Sequence, residues 1–257
     1  MINTLIQITY DGTNYSGFQI QANAPTIQGK LEFALEVIYK EPIRITGAGR
    51  TDAGVHALGQ YANFKAPFKI AAEQIPYALN AILPPDIVIT EAREVSEEFH
   101  ARFDARRKVY SYTINRAVFP QVLRRFYSLH LPDPLNLTAI RKASTLFTGT
   151  HDFKAYQAAG NSAVDTVRTL YRLDIRDIPE KELLIFEFEG SGFLYRMARL
   201  IAGTLLQVGK GFITFSDIEA SLVGLNPAAV GPTVPPHGLC LEMVKYDPVN
   251  NSRKAEI

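Results

Sequence analysis

The chain has one cysteine, Cys240, in 257 residues. An intrachain disulfide is therefore excluded, and this thiol usage fits a reducing compartment. Metal-binding patterns are missing as well: His56, His100, His130, His151 and His237 lie far apart, and no second cysteine joins them at metal-ligand spacing. No stretch reaches the roughly 18 uninterrupted apolar residues of a membrane span. The first ten residues alternate like a strand and lack a basic region ahead of a long apolar stretch, unlike a secretory leader. A charge excess is absent too, since 27 Lys and Arg face 26 Asp and Glu, and a net +1 neither suggests nor excludes a nucleic-acid partner. These absences predict a soluble, cytoplasmic protein with no bound metal, and they leave the functional question to local clusters.

What is present is ordinary globular composition, 47% hydrophobic and 21% charged, enough to bury a substantial core in one large domain or two smaller ones. Residues 5 to 10 read as a strand that ends at Asp11-Gly12. Ile27, Leu31, Ala34, Leu35 and Ile38 recur at helical spacing behind Thr26, a suitable N-cap. Strands at 43 to 46 and 60 to 65 flank a glycine-rich loop, and a helix at 71 to 83 and a strand at 86 to 90 follow. The order β-α-β-β-α-β is the ferredoxin-like, or split βαβ, unit.

The order repeats from Lys108: strands at 108 to 115, 167 to 176, 183 to 189 and 239 to 246, with helices at 137 to 149 and 192 to 208. Extra pieces are a strand around 125 to 131 and a short helix around 215 to 223, and the proline-rich 232 to 236 reads as an ordered connection. The expected fold is α+β, with two ferredoxin-like (RRM-like) halves, 1–105 and 106–257, sharing a mixed, mostly antiparallel sheet with flanking helices as one continuous unit.

Three segments carry chemistry. Residues 46 to 59, Thr-Gly-Ala-Gly-Arg-Thr-Asp-Ala-Gly-Val-His-Ala-Leu-Gly, display Arg50 and Asp52 on a turn whose glycines allow close backbone approach. A phosphate-cradling loop would need Lys-Ser or Lys-Thr after its last glycine, or G-x-G-x-x-G opening a helix; this loop has neither, and a mid-loop aspartate repels phosphate. A glycine hairpin with a local salt bridge fits the same composition. From 99 to 116, Arg102, Arg106, Arg107, Lys108 and Arg116 face one acid, Asp104, and are interleaved with aromatics. Cations that hold phosphates beside rings that stack on unpaired bases suit RNA, while a solvated basic edge suits the composition equally. Third, the helix at 192 to 208 is apolar nearly all round and so buried, yet it contains Arg199. A buried guanidinium needs a carboxylate; Asp52, Glu187 and Glu189 all qualify.

Gly47 to Ala57 resembles the active-site signature of the tRNA pseudouridine synthase A (TruA) family without a mismatch. Phe99-His100-Ala101-Arg102-Phe103, Lys108-Val109-Tyr110, the Phe193 to Gly203 segment and Pro235-Pro236-His237-Gly238-Leu239 resemble its later motifs in the right order. Residues 158 to 166 are a weaker match. The resemblance covers nearly the whole chain and implies the pseudouridine synthase fold. It also implies isomerisation of uridine to pseudouridine at positions 38, 39 and 40 of the tRNA anticodon stem-loop, without metal or organic cofactor, by a homodimer whose two subunits share one tRNA.

By the same resemblance Asp52 is the essential aspartate, acting as nucleophile or as stabiliser of a sugar cation. Arg199 is the arginine that pairs with it. Tyr110 stacks on the uracil and is placed to take the proton from carbon 5. Leu239 belongs to the apolar wall around the loosened base. The target must be flipped from its stack, with Arg50 supporting the vacated space. Phe99, His100, Ala101, Arg102 and Phe103 would bind RNA nearby, and Arg106 and Arg107 would be phosphate contacts or solvated charges. His56 is expected to brace the loop, and Cys240 to lie in the core. A non-catalytic RNA-binding protein with two RRM-like halves is the alternative, and it has no evident use for Asp52 beside Arg50.

Overall fold

The computed structural model of the chain describes residues 1–160, 165–224 and 229–247. Part of the weakly matching 158 to 166 segment, residues 161 to 164, lies outside the described residues. The first half runs β1 (Ile2–Tyr10), α1 (Ile27–Tyr39), β2 (Ile45–Gly47), β3 (His56–Ala66), α2 (Ile75–Asn80) and β4 (Ile87–Glu94). Thr26 caps α1 by accepting from the Gly29 amide, and Lys40, left-handed at φ 61°, ends it. The second half runs β5 (Ala105–Asn115), β6 (Leu129–His130), α3 (Leu137–Leu146), β7 (Gly149–Asp152), β8 (Val167–Ile178), β9 (Leu183–Gly190), α4 (Met197–Gly209), α5 (Phe215–Leu222) and β10 (Leu239–Tyr246).

The ten strands among the described residues join one sheet with the central order β4-β1-β3-β10-β5-β9-β8-β7; β2 pairs with β3 and β6 with β5. The ferredoxin-like arrangement appears twice, as β4-β1-β3-β2 and as β10-β5-β9-β8. The halves meet where β10 runs parallel to β3 over only Cys240↔His56 and Leu241↔Ala57, while its other edge pairs antiparallel with β5 from Leu239↔Tyr112 to Tyr246↔Ala105. Alternation along β5 and β9 sends Tyr110, Tyr112, Ile114, Phe186 and Phe188 into the main core, and Arg107, Glu187 and Glu189 to the opposite face.

Several elements differ from the sequence pattern. The helix expected from 192 starts at Met197, because Arg196 takes a left-handed conformation (φ 60°) and the preceding residues turn instead. Phe193 from this turn packs edge-on against Tyr110, with ring centroids 4.9 Å apart. Of the strand expected at 125 to 131, only Leu129–His130 pairs, in parallel with the end of β5. The helix expected over 71 to 83 is a 3-10 turn, Ala72–Gln74, running into the short α2. β7 follows no run of β-branched residues and exists through its pairing with β8. Residues 232 to 236 are an ordered connection held on α4 and β5: the Pro235 carbonyl accepts from the Tyr112 hydroxyl (3.0 Å) and the Val234 carbonyl from Arg199 Nε (2.8 Å).

Candidate active site

The loop between β2 and β3 is clamped from the segment after β1. Phe18 N–H donates to the Thr51 carbonyl (3.1 Å), Gly54 N–H to the Tyr15 carbonyl (3.3 Å) and Val55 N–H to the Asp52 carbonyl (3.1 Å). Thr51, between the two charged residues, turns inward and shares a hydrogen bond with the Tyr10 hydroxyl at 2.7 Å. Gln60 Nε2 donates to the Gly49 carbonyl (2.9 Å). His56 braces the base of the loop, accepting at Nδ1 from Gly12 N–H (3.1 Å) and donating from Nε2 to the Phe126 carbonyl (2.8 Å). A rigid loop leaves Arg50 and Asp52 as its two outward functional groups.

Asp52 Oδ2 accepts from Arg199 Nη1 at 2.8 Å. Arg199 is 7% exposed, and its Nε holds the Val234 carbonyl, so two donors fix one guanidinium plane between the loop and the 232 to 236 connection. Glu187 and Glu189 are not its partners: both face away and meet Arg107, Arg172, Arg176 and Lys245. Asp52 keeps one oxygen outside this ion pair and 19% of its side chain exposed, enough for a substrate atom to reach it.

Tyr110 comes from the middle of β5 and is buried. Burial first, then the charges of Tyr10 and Asp52, raise its hydroxyl pKa well above the ordinary tyrosine value, so the free protein holds a neutral phenol beside the carboxylate. Leu239 opens β10 opposite Tyr112, two residues before the Leu241 that faces Tyr110. Asp52 thus comes from the first half, and Tyr110, Arg199 and Leu239 from the second, around the seam between β3 and β10. Cys240 on the same strand is half-buried; burial and the nearby Glu242 push its thiol up to about 12, an unreactive state.

The 99 to 103 segment divides into anchors and displayed groups. Ala101 is fully buried; its N–H donates to Asn63 Oδ1 (2.9 Å) and its carbonyl accepts from the Tyr246 hydroxyl (2.8 Å). The Phe99 ring packs on Tyr246 at 5.3 Å, and its carbonyl accepts from Asn3 Nδ2 at 3.0 Å. His100 and the exposed Phe103 stack at 4.2 Å, with the Arg102 guanidinium 5.8 Å from the Phe103 ring. Arg50 and Arg102 have no acidic partner among the described residues. Arg106 pairs with Asp247 (2.7 Å), and Arg107 with Glu189 (3.3 Å) while lying over Tyr171. Sequence spacing gave no sign of the Asn3, Asn63 and Tyr246 anchors, nor of Tyr10 and Thr51 beneath Asp52; an inward threonine flanked by two charged loop residues was the one available hint.

Among the described residues no three His, Cys, Asp or Glu side chains gather as metal ligands, and no helix is long and apolar enough to cross a membrane. The chain matches the profile of a family described as tRNA pseudouridine synthase over residues 6–104 and 143–247. It is 44% identical to the tRNA pseudouridine synthase A of Thermoanaerobacter sp. (strain X514), covering 96% of this chain and 100% of that one. It is 45% identical to that of Bacillus licheniformis, over 93% and 97%, and 43% identical to that of Ruminiclostridium cellulolyticum, over 94% and 98%.

Proposed function

The chain belongs to the tRNA pseudouridine synthase family and is an isomerase acting on tRNA uridine, and from that premise we propose that Asp52 is the group that engages the target nucleotide while its glycosidic bond is broken and re-formed at carbon 5. The observation that carries this reading is the carboxylate held 2.8 Å from a buried arginine at the seam of the two halves. An acid fixed in one orientation supplies negative charge where the sugar becomes electron-poor, without reorganising as the bond opens. Arg199 positions it.

Tyr110 presents its ring to the uracil, and its neutral hydroxyl relays the proton from carbon 5 once the detached base has turned, releasing its own proton to water as it accepts that one. Leu239 walls the base in. A stacked uridine reaches this site only by flipping, at a cost of a few kcal/mol. The unpaired Arg50, two residues from Asp52 on the same clamped turn, supports the space it leaves. Arg102, His100 and Phe103 hold the strand nearby, on a segment whose Phe99 and Ala101 anchor it to the sheet. Arg106 and Arg107 contact phosphates only by exchanging their present carboxylates for them.

We assign the substrate positions to uridines 38, 39 and 40 of the anticodon stem-loop and the site of action to the cytoplasm. Halves 1–105 and 106–257 work as one catalytic unit. A homodimer that shares one tRNA completes the reading, and the outward Val118, Phe119, Val122 and Leu123, the last 89% exposed, supply apolar surface for a second subunit to cover. The decisive experiment measures tritium release from tRNA labelled at uridine carbon 5. Wild-type release, with none from Asp52→Asn at retained tRNA affinity, supports Asp52 as the reacting group; undiminished turnover by that variant overturns it.

A further inference from the structure

Lys108 is a second cation at the glycine loop, and among the described residues no acid neutralises it. It lies two residues before Tyr110 on β5, on the Tyr110 side of the strand, and its ammonium donates to the Ala48 carbonyl at 2.8 Å. The ammonium nitrogen stands only 2.7 Å from where a β-carbon on Gly49 would be, so the absence of a side chain there is what admits it. One of its three donors is used by Ala48. Among the described residues it forms no ion pair, whereas its neighbour Arg107, on the opposite face, has Glu189.

Two more cations bear on the same point. Arg168 shares a face of β8 with Leu170, and Leu170 and Lys108 both stand opposite Gly190 in the register, one on each flanking strand. The Arg168 side chain reaches along that face to within 3.7 Å of where a Gly192 β-carbon would stand; it donates to the Val167 carbonyl, and among the described residues its one acidic neighbour is the exposed Asp165, at 3.5 Å. Arg102 approaches from the segment that leads into β5. Burial first, then the positive charges of Arg102 and Arg168, push the Lys108 ammonium down to about 8. Three cations whose one acidic neighbour among the described residues is the exposed Asp165, 3.5 Å from Arg168, repel one another, and a bound anion offsets that repulsion.

We propose that Lys108, Arg168 and Arg102 form one binding site for a single backbone phosphate of the RNA strand that carries the target uridine, with Lys108 as its inner corner. A compact ammonium fits beneath Gly49, where a planar guanidinium would not, and two arginines from separate segments close the outer side. The site lies beside the loop that carries Arg50 and Asp52, so the phosphate it holds belongs to the flipped nucleotide or its immediate neighbour. Pinning that phosphate converts the flipped-out state from a transient into a bound one.

This proposal rests on the reading that tRNA lies across the glycine loop, and one set of measurements separates the two. Dissociation constants of unmodified tRNA are measured from low to high salt for wild type, Lys108→Met, Arg168→Gln, the double variant and Arg172→Gln on the opposite face. Each single variant is expected to lower the slope of log affinity against log salt by about 0.7 to 0.9, the increment of one phosphate. Because the phosphate is shared, the double variant should lose about the same increment and not twice it, and Arg172→Gln should keep the wild-type slope. RNA carrying one neutral methylphosphonate should bind wild type less tightly at one position, and Arg168→Gln should be insensitive there.

Unchanged slopes with reduced turnover would reduce Lys108 to a brace for Ala48 and overturn the proposal. Doubled loss in the double variant would assign two separate phosphates and overturn it equally. A flat salt response of the wild type itself would sink the underlying tRNA placement. Arg168, at the surface, keeps the test valid if Lys108→Met fails to fold.

Discussion

Arg199 and Asp52 are 147 residues apart in sequence and 2.8 Å apart in space, and the same guanidinium holds the Val234 carbonyl. The ion pair is therefore a three-way joint between loop, helix and connection. Arg199→Leu leaves Asp52 without its partner and frees the connection, and we expect a loss of about 3–5 kcal/mol in unfolding free energy. Arg199→Lys keeps the charge but cannot span both acceptors in one plane. Turnover by Arg199→Lys should fall at least tenfold at near-wild-type stability, measured by tritium release alongside urea unfolding; wild-type turnover would refute the orientation argument.

Tyr110→Phe keeps the ring and its edge contact with Phe193 and removes only the hydroxyl. If that oxygen takes the carbon 5 proton, tRNA affinity stays within about twofold while turnover falls by roughly 10²–10⁴. Equal activity of the two proteins would leave Tyr110 as a stacking platform alone.

Gly17 has φ of +97°, and a β-carbon there would stand 2.7 Å from the Thr51 carbonyl that it helps to position. Gly17→Ala should cost at least about 1–2 kcal/mol through the left-handed conformation alone. The carbonyl must also move, and Asp52 follows it in the chain. A drop in kcat with little change in KM is expected, together with a lower thermal midpoint; a variant altered in neither would show that the clamp is not needed.

Glu189 is held below the usual carboxylate range by the hydrogen bond from Lys245 at 3.0 Å, which outweighs its burial and is reinforced by Arg107 at 3.3 Å. With a depressed folded-state pKa, its stabilising effect is present above the unfolded value near pH 4.3 and is lost as the pH falls through the folded value. Glu189→Gln should therefore be less stable than wild type at pH 7, and the gap should close below about pH 4. A gap constant from pH 7 to pH 3 would contradict the assignment.

The strand order of both halves was legible because alternation and helical spacing are local properties. The glycine loop was legible because Arg50 and Asp52 have no packing reason to sit on a turn. The pairing of Asp52 with Arg199 instead of Glu187 or Glu189 was not decidable, since it depends on which face of β9 meets α4. The helix start at Met197 is not legible in the sequence because Phe193 and Leu194 fit an apolar helical stripe equally well, and only the left-handed Arg196 breaks it. β7 left no pattern because its hydrogen bonds to β8 make it a strand. Lys108 was visible as a charge, but its neighbours come from β8 and the 99 to 103 segment, which no spacing along β5 could announce.

β10, the last strand of the chain to be described, lies in the middle of the sheet, between β3 and β5. During synthesis the first half emerges with one edge of β3 waiting for a partner more than 170 residues downstream, and β5 waits for the same strand. The two halves can each begin to fold and can meet through side-chain contacts such as Lys108 to the Ala48 carbonyl, but their sheet is not continuous until Leu239 to Tyr246 has left the ribosome. A chain that stops before that point therefore has two open strand edges, one on β3 and one on β5, and lacks Leu239 at the seam.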